Sequence, residues 1–209
     1  MPNLNLPPES FRRHDESADE TFYTFPRFVE HIDADAIAAV TQIYRAYFPP
    51  RASLLDLMSS WVSHLPEEVE YARVVGVGMN LEELAKNPRL TEFRVQDLNC
   101  FPELPFDANE FDGAAICVSI QYLTQPVEVL RQVGRVLKRN APLVITFSNR
   151  CFPTKAVTIW QTLGDQEHLK LVDAYLRATE IFSDIEMFQH APPHGDPLYA
   201  VIGRKISDC

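Results

Sequence analysis

Two groups of residues in this 209-residue chain have types and spacing suited to chemistry. The first is the pair Gly76-Val77-Gly78, which closes an apolar run. Paired glycines after a strand can bring backbone amides up to a phosphate at a helix N-terminus. A dinucleotide fingerprint needs a third glycine, and Leu81 stands there instead. The helix that follows can run only from Leu81 to Lys86 before Asn87-Pro88 breaks it, which argues against a pyrophosphate site. The second group lies in residues 21–33, where Phe22, Tyr23, Phe25, Pro26 and Phe28 surround Arg27 and His31. This stretch is too apolar for a free tail and is predicted to dock on the body of the protein. Cys100, Cys117, Cys151 and Cys209 form no Cys-x-x-Cys pair, so neither a zinc knuckle nor a redox motif is indicated. All four read as reduced thiols of a cytosol-like compartment, with Cys117 as a small core residue.

The net charge is −10 and no run of Lys or Arg exists. That balance argues against a nucleic-acid partner and favours a small-molecule one. The N-terminus lacks the apolar region of a signal peptide, and no stretch is long and apolar enough to span a bilayer. A cytoplasmic location is therefore expected. Oligomeric state is not legible.

The elements that must position these residues alternate. Residues 1–20 are polar and expected to be loose. A helix is predicted from residue 34 to 48, capped by Asp33 or Asp35 and ended by Pro49-Pro50. Apolar strand candidates follow at 54–58, 73–77, 92–95, 113–120 and 143–147. Val129, Leu130, Val133 and Leu137 mark a helix between the last two. Further helices are expected at 154–163 and 166–177, with Trp160 in the core and His168 on the surface. Strands at 185–189 and 198–203 are close enough to form an antiparallel hairpin. The chain thus reads as α/β, a doubly wound, mostly parallel sheet. The division expected is an N-terminal extension and lid helix over 1–50 and a main domain over 51–209.

Residues 104–149 run Leu-Pro-Phe, polar residues, Phe-Asp, an apolar strand, a helix ending Arg135-Val136-Leu137-Lys138, and another strand. This pattern resembles class I S-adenosylmethionine-dependent methyltransferases of the type 11 group. The resemblance extends over about 53–205 and is strongest in 90–150. The family's usual Pro-Gly-Gly after the helix is replaced by Arg139-Asn140-Ala141. The resemblance implies a seven-stranded Rossmann-like sheet with an antiparallel last strand, S-adenosylmethionine as cofactor, and a cofactor crevice at the carboxyl ends of the strands.

Residue by residue, the resemblance places Asp56 at the family's acidic position after the first strand. Met58 and Ser60 stand where its loop glycines would be, in a Ser-Ser-Trp variant of that loop. Gly78 stands where the family has its ribose-binding acid, with Met79 beside it and Asn80 as a weaker ribose ligand. Asp97 matches the adenine-contacting acid, with Leu98 beside it. Ser59, Ser60 and Ser119 complete the implied cofactor contacts. The implied substrate side is Tyr23, Arg27, Gln121, Tyr122, Asn149 and Arg150, with the aromatic N-terminal segment as a lid. Methyl transfer from a sulfonium needs in-line placement and exclusion of water more than acid–base help. Where the acceptor does need a base, His31 and Tyr122 are the candidates. Two functions follow: methyl transfer to a small acceptor, or a catalytically inactive nucleoside-binding or protein-interaction module, which the missing glycines and ribose acid motivate.

Overall fold

The computed structural model describes residues 6–206, so residues 1–5 and 207–209, Cys209 among them, lie outside it. Seven strands form one sheet: β1 (Ser53–Leu57), β2 (Arg73–Gly78), β3 (Glu92–Val95), β4 (Gly113–Cys117), β5 (Pro142–Phe147), β6 (Phe182–His190) and β7 (Leu198–Lys205). Their order is β3-β2-β1-β4-β5-β7-β6. The first five pair in parallel, and β7 is antiparallel to both β5 and β6. The helices are α1 (Asp19–Phe22), α2 (Ala34–Tyr47), α3 (Leu81–Lys86), α4 (Pro126–Val136), α5 (Thr158–Thr162) and α6 (Asp165–Thr179). The α/β class, the doubly wound sheet and the closing hairpin agree with the sequence reading.

Continuous apolar strands appear because both sheet faces are covered. Leu55, Leu57, Val75, Val77, Ile116 and Ile145 face the core under α4 and α6. Leu54, Val74, Ala115, Val144, Ala200 and Ile202 face α2 through Ala36, Val40 and Tyr44. Helix α2, capped by the Asp33 carboxylate, is therefore a layer of the core and not the lid expected of it.

The residues that carry the family resemblance act as clamps. Arg135 donates to the carbonyls of Leu104 and Phe106 at 2.6 and 2.8 Å, tying the Leu-Pro-Phe turn to α4. The Asp112 carboxylate accepts from the Ser53 amide and pairs with Lys138.

Three expectations change. The strand expected through residue 120 stops at Cys117, because Val118 takes φ 42° and a turn of 3-10 helix follows. The helix expected at 154–163 shrinks to α5, since the Val157 and Thr158 amides bond the distant carbonyls of Gln121 and Arg12. His168 is buried, stacked on Trp160 at 3.9 Å, with Nε2 2.8 Å from the Trp160 carbonyl.

The N-terminal stretch is also not loose where it is described. Arg13 forks onto both oxygens of Asp19 at 2.7 and 2.8 Å. Lys155, fully buried, lies 3.2 Å from Asp19 and donates to the Ser17 carbonyl. Charges that read as solvated in sequence pair with one another across the fold. Removing one member leaves a buried carboxylate short of its partner. Lys155→Met is expected to cost about 3 kcal/mol in urea unfolding and to speed amide exchange across 13–19. Unchanged exchange there would mean the cluster does not fix this segment.

Candidate functional site

The carboxyl ends of β1, β2 and β4 open into a crevice where the strand order reverses. The loop after β1 forms its floor. Met58 sits at φ 54°, in the left-handed region that favours glycine, and its side chain packs partly on the core while still lining the crevice. The Ser59 amide does not face the crevice, because it donates to the Val77 carbonyl at 2.9 Å. The Ser59 carbonyl crosses the end of β2 so closely that a Cβ on Gly78 would lie 2.2 Å from it. The absence of an acid at Gly78 and the altered loop are thus one structural event: where this loop runs, no side chain fits.

Asp56 is buried at the end of β1. One carboxylate oxygen accepts from Ser59 and Ser63 hydroxyls at 2.7 and 2.6 Å. Burial outweighs those two hydrogen bonds and pushes the carboxyl up to about 6. No cation is bonded to it among the described residues.

A strap, residues 19–31, crosses the mouth. The Asn80 side chain caps α3 through the Glu82 and Glu83 amides and donates to the Tyr23 and Thr24 carbonyls. Its amide is fully engaged, which leaves no donor or acceptor for a ribose in this arrangement. Glu83, also buried, accepts from the Ser60 hydroxyl at 2.7 Å and the Arg27 amide at 2.6 Å. Trp61 donates to the Val29 carbonyl.

Other walls come from β3 and β4. Asp97 lines the crevice with Leu98 and Met79, and its Oδ1 holds the Asn99 amide. Ser119 is buried and lines the crevice, with no partner for its hydroxyl. Tyr122 accepts from the Phe152 amide at 2.8 Å, and burial pushes its phenol up to about 12. At neutral pH that phenol is a donor, so the base role considered for Tyr122 has no support. His31 is half-buried against the Phe152 edge, and burial lowers its pKa, with Glu83 opposing and Arg27 reinforcing. Burial thus favours its neutral imidazole form.

Gln121, Asn149 and Arg150 do not line the crevice. Gln121 is fully buried and donates to the Val118 carbonyl. Asn149 is exposed. Arg150 reaches outward to Asp196 at 3.6 Å. Chain direction after β5 turns Asn149 and Arg150 away from the mouth, and Phe152 lines it instead. Glu83, His64 and Phe152 were missed from sequence. Asn80-x-x-Glu83 signals a helix start, which hides the carboxylate's second use.

Two tests follow. Asp56 carries a folded-state value near 6 against an ordinary 3.8. Stability is therefore greatest below the ordinary value and falls as pH rises towards 6. Asp56→Asn is expected to gain about 2–3 kcal/mol at pH 8 and nothing near pH 3.5, read by urea unfolding at both pH values. Gly78→Ala forces the Ser59 carbonyl aside and is expected to cost about 1–3 kcal/mol; a neutral result would refute the close crossing.

Residues 59–145 match the methyltransferase domain family. Among curated proteins, none matches this sequence. A SAM dependent methyltransferase from Archaeoglobus fulgidus is 16% identical over 83% of this chain and 95% of its own, at TM-score 0.59. The phosphoethanolamine N-methyltransferase 2 of Haemonchus contortus, solved with S-adenosyl-L-methionine, is 14% identical over 83% of this chain, at TM-score 0.61. This chain spans about half of that enzyme, 53% of its length. The [4+2]-cyclase SpnF is 15% identical over 90% of this chain and 92% of its own, at TM-score 0.63. The chain thus has the fold of class I methyltransferases, shared over about four-fifths of its length, and its residues 59–145 match the methyltransferase domain family.

Proposed function

We propose that the crevice binds S-adenosylmethionine and that the protein transfers its methyl group to a small-molecule acceptor. The observation that carries this reading is Asp56, a buried crevice carboxylate bonded to two hydroxyls and to no cation. Such a group is stabilised by a cationic ligand. The unpartnered Ser119 hydroxyl, on a residue that lines the same crevice, calls for a polar ligand atom. On the far wall Asp97 would receive the adenine end, with Leu98 and Met79 against the base. The fit is weaker at the ribose, since Gly78 has no side chain and Asn80 is engaged. Ser60, with Glu83 behind it, is the polar group nearest in the chain's own loop.

Bound there, the cofactor supplies an electrophilic methyl on a sulfonium. The protein's share is placement and shielding. Asp56 offsets the ligand's positive charge. The strap, held at Asn80, Glu83 and Trp61, excludes water. The neutral His31 imidazole accepts a proton at a ring nitrogen when the acceptor must lose one. Tyr122 donates a hydrogen bond and stays protonated.

A second reading rests on the Ser59–Gly78 crossing, which removes the ribose acid: a nucleoside-binding or interaction module without transfer. The [4+2]-cyclase shows that this fold is not tied to one chemistry. Titration calorimetry with S-adenosylmethionine and S-adenosylhomocysteine decides between them. Micromolar binding of either, weakened at least tenfold by Asp97→Ala, supports the cofactor role, and methyl release to an acceptor completes it. No heat from a folded sample sinks it.

A further inference from the structure

One cationic group lining the crevice, Arg27, forms no ion pair among the described residues. The Arg27 guanidinium lies over the rings of Phe22 (4.5 Å), Phe152 (5.4 Å) and Tyr23 (5.7 Å). Its Nη2 donates to the Phe22 carbonyl at 2.9 Å. Its Nη1 is buried and has no hydrogen-bond partner. The backbone beneath is fixed, because the Arg27 amide is held by Glu83. The guanidinium is thus held by stacking and by one carbonyl on the crevice wall, with one buried nitrogen left without a partner. A buried guanidinium nitrogen of this kind calls for an anionic acceptor.

Position separates this group from the adenosyl wall. Asp97, Met79 and Gly78 stand over β2 and β3. Arg27 stands against Phe152, which follows β5 and stacks on Tyr122, which follows β4, with centroids 5.9 Å apart. That side is aromatic and carries neutral polar tips. The charge of the anion is also constrained. Asp19, Glu30, Asp56, Glu83 and Asp97 line the same crevice, so a doubly charged ligand meets five carboxylates with one free guanidinium nitrogen to hold it. A single carboxylate suits that nitrogen better than a phosphate dianion does.

We propose that the acceptor is a small monocarboxylic acid with an apolar, planar body. Its carboxylate takes Nη1 of Arg27, and its body lies against Tyr23, Tyr122 and Phe152. Calling this ligand the acceptor rests on the methyl-transfer reading, whereas its binding does not.

The test uses the full chain and three probes: benzoate, its neutral isostere benzamide, and inorganic phosphate. Calorimetry is expected to show benzoate binding at least tenfold more tightly than benzamide, with no measurable phosphate binding. Arg27→Gln is expected to abolish the tenfold preference while S-adenosylhomocysteine affinity changes less than threefold. Equal binding of benzoate and benzamide by the unmodified protein overturns the proposal without any variant, as does phosphate binding in place of benzoate. If Arg27→Gln instead weakens S-adenosylhomocysteine tenfold and leaves benzoate unaffected, Arg27 serves the cofactor and the acceptor proposal fails alone. If neither adenosyl ligand binds but benzoate still depends on Arg27, the methyl-transfer reading fails and the carboxylate site stands.

Discussion

The site depends on one close approach, where the loop after β1 crosses the carboxyl end of β2. The Ser59 amide bonds the Val77 carbonyl, and the Ser59 carbonyl lies against Gly78 where no Cβ fits. From that crossing the contacts run outward in order. Ser60 reaches Glu83, Glu83 holds the Arg27 amide, and Arg27 is aimed into the aromatic side of the crevice. Asn80, whose side chain caps the helix carrying Glu83, clasps the same strap. The loop and the strap are therefore joined by direct contacts that run from Ser60 through Glu83 to Arg27. Met58 makes the crossing possible by holding a left-handed backbone that costs an ordinary side chain about 1 kcal/mol.

The crevice combines groups that are individually unfavourable. Asp56 is a buried carboxylate without a cation, and the Arg27 guanidinium has a buried nitrogen without a partner. Both sit in one cavity but do not pair with each other, because they stand on different walls. Sites that keep opposite charges apart in a low-dielectric space lose stability and gain affinity for a ligand that satisfies both. The N-terminal cluster of Arg13, Asp19 and Lys155 is the contrasting case, with its charges close and mutually satisfied. It anchors the strap on one side, as Asn80, Glu83 and Trp61 do on the other.

The matched residues 59–145 hold both the scaffold contacts and two of the site's departures, Ser60 and Gly78. The residues that make the resemblance specific, Leu104 to Phe106 and Arg135 to Lys138, bind one another and, through Asp112, the start of β1. They preserve a scaffold. The departures at Met58, Ser60 and Gly78 lie at the strand ends, where ligand contact is made. A fold can therefore be secure while its chemistry is re-made at a few loop positions.

From the sequence alone, alternating apolar runs and helix caps determined the α/β class, the hairpin and most strand boundaries, because burial on both sheet faces dictates composition locally. Sequence also placed Asp56, Asp97, Ser119, Tyr23, Arg27, His31 and Tyr122, all of which the fold gathers into the crevice. Only the tertiary structure decided what those groups can do. It buried Asp56, engaged Asn80, turned Asn149 and Arg150 outward, buried His168 and made α2 a layer of the core. It also brought Glu83 and Phe152 to the site from positions that read as a helix cap and a loop. Pairing across long sequence separations sets hydrogen-bond partners, desolvation and charge, and none of these is encoded in local periodicity.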